Sequence, residues 1–198
     1  RLSYWGTIGT QQVLPFGTGG RRGPVGIGTN RINAVTIAEG AQGLADCLNA
    51  SVTDRRPRVV VAGDTRLTSA DLVRTTAEVF AGNGVETFLF DGFRATPVLS
   101  FAIRYLQCDA GVVITASHNP PTDNGFKAYW RDGAQVVRPK DEEIIRAVAA
   151  VRDVRAMDVA AAQAHGLVHI IGPDLDAAYI DAVVSGGLHR TAAERVDH

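Results

Sequence analysis

The chain has 198 residues, a length at which a single domain can bury a full hydrophobic core. Hydrophobic residues make up 45% of the sequence and charged residues 21%, and the formal net charge of −1 creates no overall field for nucleic acid or an anionic membrane. No apolar run approaches membrane-spanning length, so we expect a cytoplasmic protein that binds neither nucleic acid nor membrane.

The sequence contains two cysteines, Cys47 and Cys108, and each lies within an apolar helical pattern. They form neither a C-x-x-C pair nor the larger framework that disulfide-rich domains show. We therefore expect both to be buried free thiols rather than a disulfide or metal ligands.

Amphipathic helices alternate with short apolar strands along most of the chain. In chain order, the pattern predicts a helix at 33–48, a strand at 58–62, a helix at 69–82, a strand at 86–90, a helix from 96, a strand at 111–115, a strand at 125–130 with a hairpin partner at 134–137, a helix from 139, a strand at 167–171 and a helix at 174–184. Ser69 is expected to cap the second helix. Strands separated by amphipathic helices form a mainly parallel sheet that helices cover on both faces. The predicted fold is therefore α/β, a three-layer α/β/α sandwich whose mainly parallel mixed sheet gains an antiparallel edge from the hairpin.

A polar loop with a serine follows the predicted strand at 111–115. Ser117 is followed by His118 and Asn119, and then by two prolines that exclude helix and stiffen the loop. Ligands of open α/β sheets bind beyond the carboxyl ends of the strands, where this loop lies. A turn after the prolines allows Lys127 to return towards the serine. The loop therefore combines a hydroxyl nucleophile, an imidazole and an ammonium, and an ordinary surface loop is the alternative interpretation.

Two further loops are candidates for anion binding. Residues 16–24 contain four glycines and two arginines, and exposed backbone N–H groups beside guanidinium groups suit a phosphate. The segment matches neither the P-loop nor the dinucleotide-binding pattern, so a flexible turn is the alternative. Asp64 and Arg66 follow the strand at 58–62, where Arg66 is either an anion contact or the partner of Asp64 in a structural ion pair.

These loops together resemble those of the α-D-phosphohexomutase superfamily, which includes phosphoglucomutases and phosphomannomutases. The serine loop of that family, T-A/G-S-H-N-P, is matched by residues 115–120, its F-G-T-x-G-x-R-G pattern by residues 16–23 and its N-G-F/Y/I-K pattern by residues 124–127. The resemblance runs from about residue 15 to 150 in the same order and spacing. Residues 28–33 and 129–135 resemble the phosphoglucomutase/phosphopentomutase-like branch.

The resemblance implies an isomerase, an intramolecular phosphotransferase that interconverts hexose 1-phosphate and 6-phosphate through a bisphosphate intermediate. It implies that Ser117 carries the phosphoryl group and binds Mg²⁺ through it, and that Lys127 acts as the acid/base with help from His118. Arg22 would steady the phosphoserine or the reacting hydroxyl. Substrates would be sugar phosphates, either hexose phosphates of glucose or mannose or a pentose phosphate, with an activator of the glucose 1,6-bisphosphate type. The phosphate-binding and substrate-binding residues implied in this way are Thr18, Gly19, Gly20, Asn119 and Arg66.

Other loops of the same family have no match in the chain. The D-G-D-x-D-R metal loop, the G-E-x-S-G-H sugar loop and the R-x-S-G-T-E-P phosphate loop are absent from the sequence. We therefore expect residues 1–172 to be domain I, residues 173–198 to be the linker and first helix of a truncated domain II, and the remaining Mg²⁺ ligands to lie in that domain. The isolated chain, without domains II–IV of the same polypeptide, would then be inactive.

Two other functions remain open on the sequence. A free-standing domain could bind sugar phosphates through the same loops without catalysis. A phosphatase or hydrolase is less favoured, because the sequence has no G-x-S-x-G elbow and neighbouring serine and histidine side chains normally point apart.

Overall fold

Helices and strands follow one another through most of the chain, of which the computed structural model describes residues 14–17 and 19–186. The strands are β1 (Gly20–Pro24), β2 (Arg58–Gly63), β3 (Glu86–Phe90), β4 (Ala110–Ile114), β5 (Asp123–Trp130) and β6 (Val168–Ile171). The helices are α1 (Ala34–Ser51), α2 (Ser69–Gly82), α3 (Thr96–Tyr105), α4 (Lys140–Ala150), α5 (Val159–Ala164) and α6 (Pro173–Gly186). No helix among these described residues is long and apolar enough to cross a membrane.

The strands form one mixed sheet in the order β1-β5-β4-β2-β3-β6. The strands β4, β2, β3 and β6 run parallel to one another, whereas β5 pairs antiparallel with both β4 and β1. The prediction of a mainly parallel mixed sheet with an antiparallel edge is confirmed. The carboxyl ends of β2 and β4 lie side by side, because Gly63 is in register with Ile114.

Helices pack against both faces of this sheet. On one face, α1, α2, α4 and α5 bury a core that includes Ile37, Phe80 and Ile144. On the other face, α3 and α6 cover a second core that includes Leu99 and Leu175. Apolar side chains of β2 alternate between the two cores, as expected for a strand that is covered on both sides. The three-layer α/β/α sandwich is therefore confirmed.

The outer neighbour of β5 differs from the prediction. Residues 134–137 were expected to form its hairpin partner, but they contribute an isolated bridge between Gln135 and Tyr129. The edge strand is β1 instead, in the segment interpreted from its sequence as a glycine-rich loop. The five residues of β1, GRRGP, contain no large apolar side chain, so no period-two hydrophobic pattern could reveal the strand.

One smaller prediction is corrected, one is confirmed, and one helix was not predicted. Ser69 is not a cap: it is the first residue of α2, and the N-cap Thr68 makes no side-chain capping bond. The helix α5 was not predicted, because its six residues are mostly alanine and show no apolar stripe. Both Cys47 and Cys108 are buried and free, as expected.

The beginning of α6 packs against the rest of the sandwich. Leu175 is buried in the core beneath α3, and Tyr179 contacts the ring of Phe101. Arg94, which follows β3, donates from Nε and Nη2 to the two carboxylate oxygens of Asp176, each at 2.7 Å. The expected domain boundary at residue 172 stays a prediction.

Candidate active site

The serine loop and the loop that follows β2 meet at one edge of the sheet. Because β4 ends at Ile114, Ser117 lies three residues beyond the strand rather than the two expected. Asp64 follows β2, and its backbone N–H donates to the carbonyl of Ile114 at 3.1 Å. A cavity of about 350 Å³ lies between the loops, with Asp64, Arg66, Ser117 and Asn119 in its lining. This is the place at which open α/β sheets bind their ligands.

A larger cavity, of about 550 Å³, lies beside α2 and the ends of β3 and β6. Its lining is mainly apolar, with Val73, Leu89, Phe90 and Val159 among its residues, and it contains no residue of the serine loop. We therefore take the smaller, polar cavity beside Ser117 as the candidate site.

Ser117 is exposed and has an unusual backbone conformation. Its φ of 59° lies in the left-handed region, which residues with a Cβ atom rarely adopt. Its backbone N–H donates to Oγ1 of Thr115 at 2.8 Å, and the N–H of Asn119 donates to the carbonyl of Ala116 at 3.1 Å. A left-handed residue costs roughly 1–2 kcal/mol, so contacts elsewhere must hold the loop in this shape.

The strongest of these contacts come from Arg66. Its Nη1 donates to the carbonyl oxygens of Pro120 at 2.6 Å and Asp123 at 2.8 Å. Its Nη2 donates to the carbonyl oxygens of Ser117 at 3.0 Å and Asn119 at 2.8 Å. Its Nε donates to Oδ2 of Asp64 at 3.2 Å. A guanidinium has five N–H groups, and these bonds occupy all of them.

The two sequence interpretations of Arg66 are thereby separated. The structural ion pair with Asp64 is present, and the side chain of Arg66 is only 12% exposed. The expected phosphate contact is not supported, because no N–H group of Arg66 is left to donate to an anion.

A polar network behind Asp64 joins the loops to β5. Oδ1 of Asp64 accepts a hydrogen bond from Oγ of Ser69 at 2.7 Å. Nδ2 of Asn124 donates to the hydroxyl oxygens of Thr68 and Ser69, each at 3.0 Å, and Oδ1 of Asn124 accepts from the N–H of Gly125. Asn124 is fully buried, so these bonds compensate for its loss of water. The hydroxyl of Ser69 therefore links Asp64 to Asn124 and does not cap a helix.

Pairing of β1 with β5 brings Arg22 and Lys127 to the same face of the sheet. Arg22 is opposite Gly125, and Lys127 follows two residues later on the same face. Partial burial lowers the pKa of Lys127, the positive charge of Arg22 lowers it further, and the carboxylate of Asp64 opposes both effects. The three charged groups therefore lie close enough to influence one another.

The neighbouring arginine, Arg21, has a different role. It is only 4% exposed, and its Nη1 donates to the carbonyl oxygen of Thr36 at 2.8 Å and to Oε2 of Glu39 at 3.3 Å. Arg21 thus anchors the first turns of α1 to the sheet, while Arg22 is exposed. Of the two arginines, only Arg22 is therefore accessible to a ligand.

The glycine-rich segment has less free backbone than its sequence indicated. Gly17 and Gly20 exchange two backbone hydrogen bonds, at 2.8 and 2.9 Å. The N–H of Gly20, which was expected to bind a phosphate, therefore already has a partner. Gly20 has a φ of +143°, and a Cβ atom there would lie 1.9 Å from the carbonyl oxygen of Phe126. Gly19 is buried, and its carbonyl accepts from the N–H of Ala128 at 3.0 Å. Thr18 lies outside the described residues.

The remaining predicted residues lie in the serine loop itself. His118 is exposed beside Ser117. Nδ2 of Asn119 donates to Oδ2 of Asp123 at 2.9 Å, so this side chain stabilises the loop. Ser117, His118 and Asn119 lie together because they are consecutive in the sequence. Lys127 and Arg22 lie on one face of the sheet because β1 pairs with β5.

The described residues do not provide a complete Mg²⁺ site. Magnesium is usually held by one or two carboxylates together with phosphate oxygens. Both carboxylate oxygens of Asp64 accept hydrogen bonds from Arg66 or Ser69, and no cluster of three potential metal ligands exists within residues 14–17 and 19–186. A phosphate on Ser117 would add oxygen ligands, but no carboxylate cluster accompanies it in this described part of the chain.

Sequence comparison relates the chain to sugar-phosphate mutases. Residues 13–155 match the family model described as phosphoglucomutase/phosphomannomutase, alpha/beta/alpha domain I. A phosphoglucomutase of Staphylococcus epidermidis is 46% identical over 128 residues, which are 65% of this chain and 23% of that protein. A phosphoglucomutase of Staphylococcus aureus is 40% identical over 151 residues, which are 76% of this chain and 27% of that protein. The chain thus spans about a quarter of the length of the curated relatives it matches.

Solved structures show the same relationship. A protein described as a putative phosphomannomutase from Thermus thermophilus superposes with a TM-score of 0.73 at 28% identity, over 89% of this chain and 36% of that one. A phosphoglucomutase/phosphomannomutase family protein from Burkholderia thailandensis gives a TM-score of 0.68 at 25% identity, over 90% of this chain and 37% of that one. Sequence and structure therefore point to the same family.

Proposed function

The chain belongs to the phosphoglucomutase/phosphomannomutase family, and from this premise we propose that it is the phosphoserine-bearing part of a phosphosugar mutase, an isomerase. The observation that carries the proposal is the position of Ser117. Ser117 is exposed at the carboxyl ends of the strands, beside a polar cavity, and its own backbone has a left-handed φ. A rigid loop of this kind suits a nucleophile that must be held for in-line transfer.

In the proposed reaction, phosphorylated Ser117 transfers its phosphoryl group to a hydroxyl of a hexose phosphate. The bond between Oγ and phosphorus breaks, a bond between the sugar oxygen and phosphorus forms, the sugar hydroxyl loses a proton and Oγ gains one. The hexose bisphosphate then turns around and returns its other phosphoryl group to Ser117. The net result is the interconversion of hexose 1-phosphate and hexose 6-phosphate.

We assign the proton transfer at Oγ to Lys127, aided by His118. Burial and the charge of Arg22 lower the pKa of Lys127, so that its ammonium gives up a proton more readily than an exposed lysine. Arg22 and Lys127 also present two positive charges on one face of the sheet. Phosphoryl transfer depends mainly on positioning and on neutralising charge at the phosphoryl oxygens, which these groups supply.

The rest of the proposed site comes from outside the described residues. We propose that Mg²⁺ binds the phosphate of Ser117 and is held otherwise by ligands of a domain II; when bound, it neutralises charge on the phosphoryl group. Hexose phosphates are the substrates in this proposal, with a bisphosphate activator of the glucose 1,6-bisphosphate type. A cytoplasmic location is part of the same proposal, as expected for an enzyme of sugar-phosphate metabolism.

The test is the location of phosphate in the full-length polypeptide as purified. Intact mass and peptide mapping should find one phosphate, on Ser117, and Ser117→Ala should remove both the phosphate and mutase turnover in a coupled glucose 6-phosphate assay. Ser185→Ala, at an exposed serine of α6, is the matched control and should change neither.

Two results would overturn the proposal. Phosphate on another residue, with Ser117 unmodified, would remove the assigned nucleophile. Binding of glucose 6-phosphate without phosphate on Ser117 or turnover would favour the alternative, a sugar-phosphate-binding module. The 198-residue chain alone should show no repeated turnover, since it spans about a quarter of its relatives.

A further inference from the structure

The serine loop is held partly by its own hydrogen bonds and partly by a side chain from another loop. Residues Pro120 and Pro121 have no backbone N–H, so this part of the loop cannot form regular hydrogen bonds of its own. Within the loop, the N–H groups of Asn119 and Asp123 donate to the carbonyls of Ala116 and Pro120. The N–H of Ser117 also donates to Oγ1 of Thr115, and Nδ2 of Asn119 donates to Oδ2 of Asp123. In addition, four carbonyls between Ser117 and Asp123 share one partner, the side chain of Arg66 from another loop.

We propose that Arg66 is a positioning residue of the mutase reaction, which fixes the loop of Ser117 by holding its carbonyl oxygens; this inference rests on the proposed function. The bonds of Arg66 reach residues 51 to 57 positions later in the sequence, so they join β2 to the loop after β4. With all five N–H groups occupied, Arg66 acts on the substrate only through Ser117.

The direction of the carbonyls determines what the loop presents on its other side. The peptide between Ser117 and His118 is planar and trans, so its N–H points away from its carbonyl. Since that carbonyl accepts from Nη2 of Arg66, the N–H of His118 points away from the guanidinium. The same contact restrains Ser117 at its φ of 59°. Arg66 therefore orients a backbone donor next to the nucleophile as well as the nucleophile itself.

Arg66 is itself held before any substrate arrives. Asp64 accepts from Nε of Arg66 on one carboxylate oxygen, and from the N–H of Arg66 and Oγ of Ser69 on the other. A lysine could not replace this arrangement, because an ammonium has three donors at one point and no planar fork. The conservative substitution is therefore expected to fail.

The test compares Arg66→Lys with wild type in the full-length polypeptide, with Arg94→Lys as a matched control. Arg94 is also a guanidinium beyond a strand end with several partners, but it bonds Asp91 and Asp176 instead of the serine loop. Amide hydrogen exchange of residues 115–124, the melting temperature, kcat, KM and the phosphate on Ser117 are measured for each protein.

Arg66→Lys should raise exchange in residues 115–124 by about tenfold or more, with exchange elsewhere close to wild type. The same variant should lower kcat by about 10- to 100-fold, the loss expected when a reacting group moves by about an ångström, while KM for the hexose phosphate changes little. Arg94→Lys should leave the exchange of this segment, kcat and KM unchanged. A purely structural arginine would instead raise exchange throughout the domain in step with the loss of melting temperature.

Two outcomes would overturn the inference. A rise in KM at unchanged kcat and unchanged loop exchange would mean that Arg66 contacts substrate, and a uniform rise in exchange would reduce it to a stabilising residue. If Arg66→Lys does not fold, the exchange measurement is made on Asp64→Asn. We expect a smaller rise in amide exchange, confined to residues 115–124, and the absence of any rise would contradict the inference. Failure of the proposed function would show separately, as absence of phosphate on wild-type Ser117, and the exchange data would still decide whether Arg66 holds the loop.

Discussion

The left-handed backbone of Ser117 makes a measurable prediction about stability. Ser117→Ala and Ser117→Gly both remove the hydroxyl, so neither variant can carry the phosphoryl group. Only glycine adopts a φ of 59° without a Cβ penalty. Comparing the two variants therefore isolates the strain at this position from the loss of the nucleophile.

The size of the difference follows from two opposing effects. Releasing a left-handed residue from its Cβ penalty stabilises the folded state by roughly 1–2 kcal/mol. Glycine also gains freedom in the unfolded chain, which costs about 0.4–1 kcal/mol relative to alanine. The first effect is larger, so Ser117→Gly should be more stable than Ser117→Ala by about 1 kcal/mol. In a domain of this size that corresponds to roughly 2–4 °C in melting temperature.

The assay is urea unfolding of the 198-residue chain at pH 7, supported by thermal melts. Gln107 is the matched control, because it has a φ of 53° and lies away from the serine loop. Gln107→Gly should exceed Gln107→Ala in stability by a similar amount and leave phosphorylation of Ser117 in the full-length polypeptide intact. If Ser117→Gly is no more stable than Ser117→Ala while the Gln107 pair shows the difference, the loop is not strained at its nucleophile.

Two further changes test the packing and charge of the site. Gly125→Ala should destabilise the chain by about 1–3 kcal/mol in urea unfolding, because a Cβ atom there would lie 2.6 Å from the carbonyl oxygen of Arg21 and 2.8 Å from that of Thr115. Gly92→Ala, at an exposed glycine, should stay within about 0.5 kcal/mol of wild type, and equal losses in both variants would contradict this reasoning. Lys127→Met should stabilise the chain slightly at pH 7, since the lowered pKa of Lys127 means that its charged form is disfavoured by folding. The part of that gain due to charge should shrink as pH rises through the lowered pKa and be lost above the ordinary value of 10.5, and a stability difference that stays constant from pH 7 to above 10.5 would refute the assignment.

Much of the sandwich was predictable because its elements carry a strong apolar pattern. The strand with the sequence ETFLF and the helix that buries Ile37 and Leu44 are typical of a buried strand and of an amphipathic helix. The serine loop was predictable for a different reason, since its motif is contiguous and follows a recognisable strand. The identity of Ser117 as the candidate nucleophile thus needed only local sequence.

The parts that were missed depend on contacts between distant segments. The strand β1 owes its structure to pairing with β5 about a hundred residues later, and its own side chains give no signal. Arg66 is similar, because nothing in its local sequence indicates that four carbonyl oxygens of a later loop will surround its guanidinium. The left-handed φ of Ser117 is a further consequence of that surrounding structure.

The two consecutive arginines of β1 make folding and the proposed catalysis depend on the same register of one strand. Successive side chains of a strand point to opposite faces, so a slip of one residue exchanges inside and outside. A slip in one direction would place Gly20 where Arg21 anchors α1, and a slip in the other would place Gly23 where Arg22 stands. In either register, an arginine occupies only one of these two positions and a glycine occupies the other. An insertion or deletion that shifts the pairing of β1 with β5 by one residue would therefore remove either the anchor of a helix or a charge at the proposed site.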